Sequence, residues 1–144
     1  MLVRLTPNQI PSMWEAIKYA AVKSGRLNKD EMPRYLNKLL NDLLSGNAQC
    51  FVKLNEKRIL SGIILSKLIE DNLTNDKSLL IENLYSFEPV TQESWLEGLD
   101  IIGKFAVANE CITITTYADS EKVYEILKMM GFRERYRCFI TEVI

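Results

Sequence analysis

Side chains able to do chemistry are sparse in this chain of 144 residues, and one type is missing: there is no histidine. That absence excludes Ser–His–Asp and Cys–His nucleophiles, His-containing metal sites and imidazole acid–base catalysis. Cys50, Cys111 and Cys138 are odd in number, widely spaced and form no Cys-x-x-Cys pair. Neither a disulfide framework nor a structural zinc site is expected from them. Each lies in an apolar, strand-like run, where a thiol is expected to be buried as a small hydrophobe. Arg133, Arg135 and Arg137 alternate, so a regular strand would turn all three to one side. That is either an anion or RNA patch or a solvated edge guarded by charge. No Walker loop, dinucleotide fingerprint, serine elbow or EF-hand spacing is present.

Charge narrows the partners. With 18 basic and 19 acidic side chains the net charge is −1, which gives no global attraction to nucleic acid or anionic membrane. The charges are nonetheless divided: residues 1–72 carry 11 basic and 7 acidic groups, residues 73–144 carry 7 and 12. Such polarity can orient a docked protein or arise from ordinary surface variation. Met1 to Thr6 has no apolar core behind a basic flank, so it is not read as a signal peptide. No segment approaches the ~20 apolar residues that span a bilayer. The reading is a cytoplasmic protein with no metal, no membrane and no nucleic acid, for which a protein partner or self-association is plausible.

The elements that must position any site follow from periodicity and punctuation. Met1 to Thr6 reads as a strand, and Thr6-Pro7-Asn8-Gln9 as a capping box with proline at the first helical position. Pro11 leaves open a later start. Ile10, Met13, Trp14, Ile17 and Ala21 then follow at helical spacing, to an end near Gly25. A second helix carries Met32, Leu36, Leu39, Leu40, Leu43 and Leu44 on one stripe, with Pro33 in its first turn and Gly46 as its stop. The stripe is read as facing the core rather than a partner. Three strands follow, Gln49–Leu54, Ile59–Ile69 and Leu79–Phe87, with Gly62 a candidate bulge. Apolar residues on both faces of the later strands imply an antiparallel meander covered on both sides. Thr91 caps a third helix bearing Trp95, Leu99, Ile102 and Ala106. Cys111–Thr116 is a β-branched strand. Asp119 caps a fourth helix with Val123, Leu127 and Met130, closed by Gly131, and Tyr136–Val143 is the last strand. The order is β-α-α-β-β-β-α-β-α-β in a single α/β domain over residues 1–144.

That order, with Met130-Gly131-Phe132 before a final strand, resembles the GNAT superfamily of acyl-CoA-dependent N-acetyltransferases over nearly the whole chain. Within it the chain looks like the small GNAT-like proteins of tailed phages and prophages, which implies a phage-encoded, virion-associated or accessory role. The resemblance implies a mixed, mostly antiparallel twisted sheet flanked by four helices. It also implies a cofactor cleft where the strands Leu79–Phe87 and Cys111–Thr116 splay apart.

The family's chemistry can be laid on this sequence residue by residue. Its pyrophosphate signature, Gln/Arg-x-x-Gly-x-Gly/Ala at a helix start, works because bare N–H groups and the helix dipole cradle the phosphates. The matching stretch is Gln92-Glu93-Ser94-Trp95-Leu96-Glu97. Gln92 fits the first position, while Trp95 and Glu97 replace the glycines with an obstructing indole and a repelling carboxylate. The resemblance makes Phe87, Gln92 and Ser94 the cofactor-binding candidates. The family's acid, a tyrosine four residues before the Gly of Gly-Phe, is here Leu127; Tyr124 lies one turn earlier and needs a displaced or rotated helix to reach the cleft. The base position falls on Glu82, with a register one residue longer than the family pattern, meaning a bulge or a different alignment. Glu82 would serve only if desolvation raised its pKa toward neutrality. Two readings stay open. The preferred one is a non-catalytic binding or structural module with a degenerate acetyl-CoA site and no cofactor. The alternative is an atypical N-acetyltransferase that uses acetyl-CoA, with Glu82 and Tyr124 as catalytic residues, acting on an amine of a protein or small molecule.

Overall fold

Local punctuation sets the helices before any packing is considered. In a computed structural model, which describes residues 1–24 and 27–143, Pro7–Gln9 forms one 3-10 turn and α1 runs from Ile10 to Ser24. The Gln9 side chain accepts a hydrogen bond from the Thr6 N–H at 2.8 Å, half of the predicted capping box. Gly25, the predicted helix end, lies outside the described residues. The second helix, α2 (Met32–Ser45), holds Pro33 in its first turn and ends on Gly46 at φ 83°, a left-handed conformation that glycine adopts without Cβ strain. The third, α3 (Gln92–Ala108), is capped by Thr91, whose hydroxyl accepts from the Ser94 N–H at 3.1 Å. The fourth, α4 (Glu121–Met129), is capped by Ser120, one residue beyond the expected Asp119. It closes in a Schellman motif: Phe132 N–H donates to Leu127 O at 2.9 Å and Gly131 N–H to Lys128 O at 3.1 Å, with Gly131 at φ 91°.

The strands are β1 (Leu2–Arg4), β2 (Ala48–Leu54), β3 (Leu60–Glu70), β4 (Lys77–Ser86) and β5 (Thr113–Thr116), and they lie in one sheet in that order. The first four pair antiparallel and β5 runs parallel to β4. The predicted α/β class and mixed, mostly antiparallel sheet with four helices are therefore what the chain forms. Along β2, Cys50 and Val52 pack on the α1–α2 side with Ile17, Leu39, Leu43 and Leu65. Phe51, between them, turns to the α3 side with Leu79, Ile102 and Ala106. Alternation of this kind turns an unbroken apolar run into a strand buried on both faces. Leu39 and Leu43 of the leucine stripe are 3% and 2% exposed and face the core, with Leu36 and Leu40 packed against it, whereas Leu44, expected on the same stripe, is 44% exposed.

Two register shifts bend the sheet. One sets Lys53 opposite Gly62 but Leu54 opposite Leu60, leaving Ser61, the neighbour of the predicted Gly62, as the extra residue. The other sets Leu65 opposite Asn83 but Ser66 opposite Ile81, so the extra residue is Glu82.

The expected last strand is not formed. Residues 133–143 join no ladder and are exposed throughout, with Phe139, Ile140 and Val143 at 88%, 87% and 97%. Strand propensity describes the fit of a side chain to a half-buried pleated surface, and this segment pairs with no strand and stays exposed. Two sequence readings change with it. Cys138 is exposed, while Cys50 and Cys111 are buried as expected, and burial pushes the Cys50 thiol up to about 12. The three arginines do not form a one-sided row: Arg135 pairs with Asp71 at 3.5 Å and Arg137 with Glu134 at 3.0 Å.

Leu65 has no exposed surface and sits on the α1–α2 side of the sheet. Leu65→Ala should cost about 3 kcal/mol in chemical denaturation, the lost transfer free energy plus the cavity left behind. A loss below ~1 kcal/mol would contradict this assignment of the core.

Candidate functional site

The site begins where β4 and β5 stop pairing. Their parallel ladder is four residues long, Ser78–Ile81 against Thr113–Thr116. Hydroxyls reinforce it: Ser78 Oγ lies 2.7 Å from Thr115 Oγ1 and 2.8 Å from Thr113 Oγ1, and Thr116 Oγ1 donates to Ile81 O at 3.2 Å. The very next residue of β4 is the bulged Glu82. A bulge increases local twist and re-aims side chains, so β4 turns away as β5 ends. Between them opens a cleft of about 360 Å³, walled by β4, the first turns of α3, the end of β5 and α4.

Its β4 wall carries Glu82, Asn83 and Tyr85. Glu82 is a half-buried carboxylate in an ion pair with Lys67 at 2.8 Å. Asn83, 9% exposed, donates from Nδ2 to the Tyr35 hydroxyl. Its Oδ1 is 3.0 Å from Ser24 Oγ, which also lies 2.7 Å from the Ala20 carbonyl. This network ties β4 to the ends of α1 and α2 at the cleft. Tyr85 forms an aromatic cluster with Tyr19 and Phe87, with ring centroids 5.0–6.0 Å apart. The hydrogen bond its O–H gives to Tyr19, which favours the protonated form, is the main reason the Tyr85 hydroxyl is held above its ordinary pKa.

The opposite wall is apolar where sequence reasoning looked for an acid. Leu127 and Ile126 of α4 and its C-cap Met130 line the cleft, whereas Tyr124 is 37% exposed and is not part of the lining. A tyrosine that does reach the cleft on this side is Tyr117, just beyond β5, whose pKa is raised by burial first and then by Tyr136. Sequence reasoning passed over Tyr117, Asn83 and Tyr35. The first follows a strand end and was available as a signal, but the other two meet only through the packing of α2 on β4.

At the α3 end, Trp95 and Glu97 both line the cleft, along with Ser94. The Ser94 N–H is taken by the Thr91 cap, and its Oγ accepts from Lys53 Nζ at 2.6 Å. Gln92 is exposed and lies outside the lining. Phe87 also lies outside it, and its backbone N–H is committed to Ser61 O at 2.8 Å. Of the cofactor candidates the structure thus brings only Ser94 to the cleft, beside the catalytic candidate Glu82. The wall at this helix start thus combines the Lys53 ammonium, already bonded to Ser94, with the Glu97 carboxylate and the Trp95 indole. Among the described residues no three His, Cys, Asp or Glu side chains cluster as metal ligands, and no helix is long and apolar enough to cross a membrane.

No protein-family model and no curated protein matches the chain. Solved structures do. A probable acetyltransferase superposes at TM-score 0.72 with 15% identity, covering 100% of this chain and 98% of that one. Ribosomal-protein-alanine N-acetyltransferase from Brucella melitensis biovar Abortus 2308 gives 0.69 at 11%, covering 99% of each chain. An aminoglycoside acetyltransferase from an uncultured soil metagenomic sample, in complex with sisomicin, gives 0.69 at 18%, covering 100% and 96%. The chain has the GNAT acetyltransferase fold. At these identities the likeness extends to the backbone path and not to the chemistry of its side chains. Within the GNAT fold, the β4–β5 cleft found here is the one the resemblance implied, and the Glu82 bulge accounts for the extra residue in that strand.

Asn83→Ala should cost about 2 kcal/mol, because it deprives both Ser24 and the Tyr35 hydroxyl of a part-buried partner. Urea denaturation of Asn83→Ala, Tyr35→Phe and the double variant checks this. Strictly additive losses would show that the two side chains are not coupled.

Proposed function

We propose that this chain is a GNAT-fold binding or structural module whose acetyl-CoA site is degenerate. The carrying observation is the cleft's own lining: Trp95 and Glu97 where glycines would admit a pyrophosphate, and Leu127 where a tyrosine would protonate a leaving thiolate. The features the fold itself needs are all present, namely the Thr91 and Ser120 caps, the Gly131 closure and the two-sided core. A chain under demand for the scaffold but not for the cofactor would carry this combination. In this reading it acts in the cytoplasm or as an accessory protein, with no resident cofactor.

The alternative, an atypical acetyltransferase acting on an amine, has one observation in its favour: Glu82 and Tyr117 border the same cleft. Against it stands the 2.8 Å ion pair with Lys67, which already occupies the carboxylate that would have to take the proton.

Calorimetric titration with acetyl-CoA separates the two. No heat and no thermal shift at millimolar ligand is expected, and saturable micromolar binding would overturn the non-catalytic reading. If the helix start is what excludes the cofactor, Trp95→Gly/Glu97→Gly should gain measurable acetyl-CoA binding while unfolding at a lower temperature, since two glycines enter a helix.

A further inference from the structure

The walls of the β4–β5 cleft ask little of a ligand in hydrogen bonds. Glu82 is paired with Lys67, and Asn83 with Tyr35 and Ser24. Among the described residues no fully buried side-chain nitrogen or oxygen lacks a partner. Much of the rest of the lining is apolar, with Leu84, Leu99, Leu127 and Phe132 in it. A missing side chain adds room. Ser94, Gly98 and Ile102 follow one another turn by turn on the face of α3 that borders the cleft. A Cβ on Gly98 would meet no packed atom within 4 Å, so the middle of that face is open.

One end of this open lane is charged. The half-buried Lys53 places its Nζ 2.6 Å from Ser94 Oγ, and among the described residues no carboxylate pairs with it. An ammonium has three donors, of which Ser94 takes one. Glu97, at the same end, is exposed and keeps its carboxylate in water. Lys53, Ser94 and Glu97 also border a polar recess lined by Asn55, Arg58 and Glu88.

We propose that the cleft takes a free medium-chain fatty carboxylate, its chain along α3 from Ser94 toward Ile102 and its head on Lys53. The ligand presupposes the degenerate acetyl-CoA site proposed above, since both would fill one cleft. Apolar walls favour a hydrocarbon chain by burial alone. The two remaining Lys53 donors match the two oxygens of a carboxylate, in the strong, charge-assisted class of hydrogen bond. An alkylammonium would instead meet Lys53 with like charge. Ser94 to Ile102 spans about 12 Å of helix, which sets a medium length of chain. The cleft volume of about 360 Å³ is that of a small ligand site.

Calorimetric titration with octanoate, decanoate, decylammonium, decanol and acetyl-CoA, below micelle concentrations, tests this. From octanoate to decanoate affinity should tighten about fourfold per methylene. Decylammonium should bind at least tenfold more weakly than decanoate. Lys53→Met keeps the apolar stem and should weaken decanoate at least tenfold while leaving decanol unchanged. Gly98→Leu puts a better helix former into open space, so it should fold and weaken decanoate and decanol alike. No decanoate binding at millimolar ligand, an affinity indifferent to chain length, or one unmoved by either variant would overturn the proposal. Should Lys53→Met fail to fold, the ranking of decanoate over decylammonium and decanol on the unaltered protein decides the head group. If neither decanoate nor acetyl-CoA binds, the fatty carboxylate alone falls. Micromolar acetyl-CoA binding would overturn the degenerate-site reading and the carboxylate with it.

Discussion

The four-residue parallel ladder between β4 and β5 is the contact on which the rest of this molecule depends. Parallel pairing needs a crossover, and α3 supplies it, packing Ile102 and Ala106 onto the sheet face that also holds Phe51 and Leu79. The ladder is stitched by Ser78, Thr113, Thr115 and Thr116 because a short parallel pair has few backbone bonds of its own, and buried hydroxyls must in any case find partners. Its abrupt end at Ile81 and Thr116, with the bulge at Glu82 immediately after, turns a continuous sheet into one with a cleft.

Everything placed at that cleft inherits its position from these few residues. On one side the bulge brings Glu82 and Asn83 to the wall, where Lys67 of β3 answers the first and Tyr35 and Ser24 of the α1–α2 layer answer the second. On the other side the Schellman closure of α4 fixes Leu127 and Phe132 relative to one another by a direct backbone bond. The cleft is thus polar and satisfied along β4, and apolar along α4. Such a site can hold a ligand by shape and burial, while Glu82 and Lys53 are already engaged with the protein.

The GNAT fold and its acetyl-transfer chemistry make separate demands on sequence. The fold requires caps, alternating apolar residues and glycine at a left-handed position. The chemistry requires glycine at the start of α3 and a hydroxyl on α4. On the reading proposed above, Trp95 and Glu97 satisfy the first set as ordinary helix residues and work against the second.

Much of this was legible in the residues alone. The caps and stops at Thr91, Pro33, Gly46 and Gly131 marked helix ends because each acts through its own backbone geometry. The leucine stripe and the two-sided strands announced the core because periodicity reflects which face is buried. The extra residue near Glu82 was countable, and it is a bulge. Other features depend on partners distant in sequence. Asn83 meets Tyr35 across 48 positions, and Tyr117 rather than Tyr124 reaches the cleft because of how α4 lies against β5. The tail shows the division most plainly. Its composition determined that residues 136–143 can be a strand, but whether they are one depends on backbone pairing with a sheet edge, which they do not make.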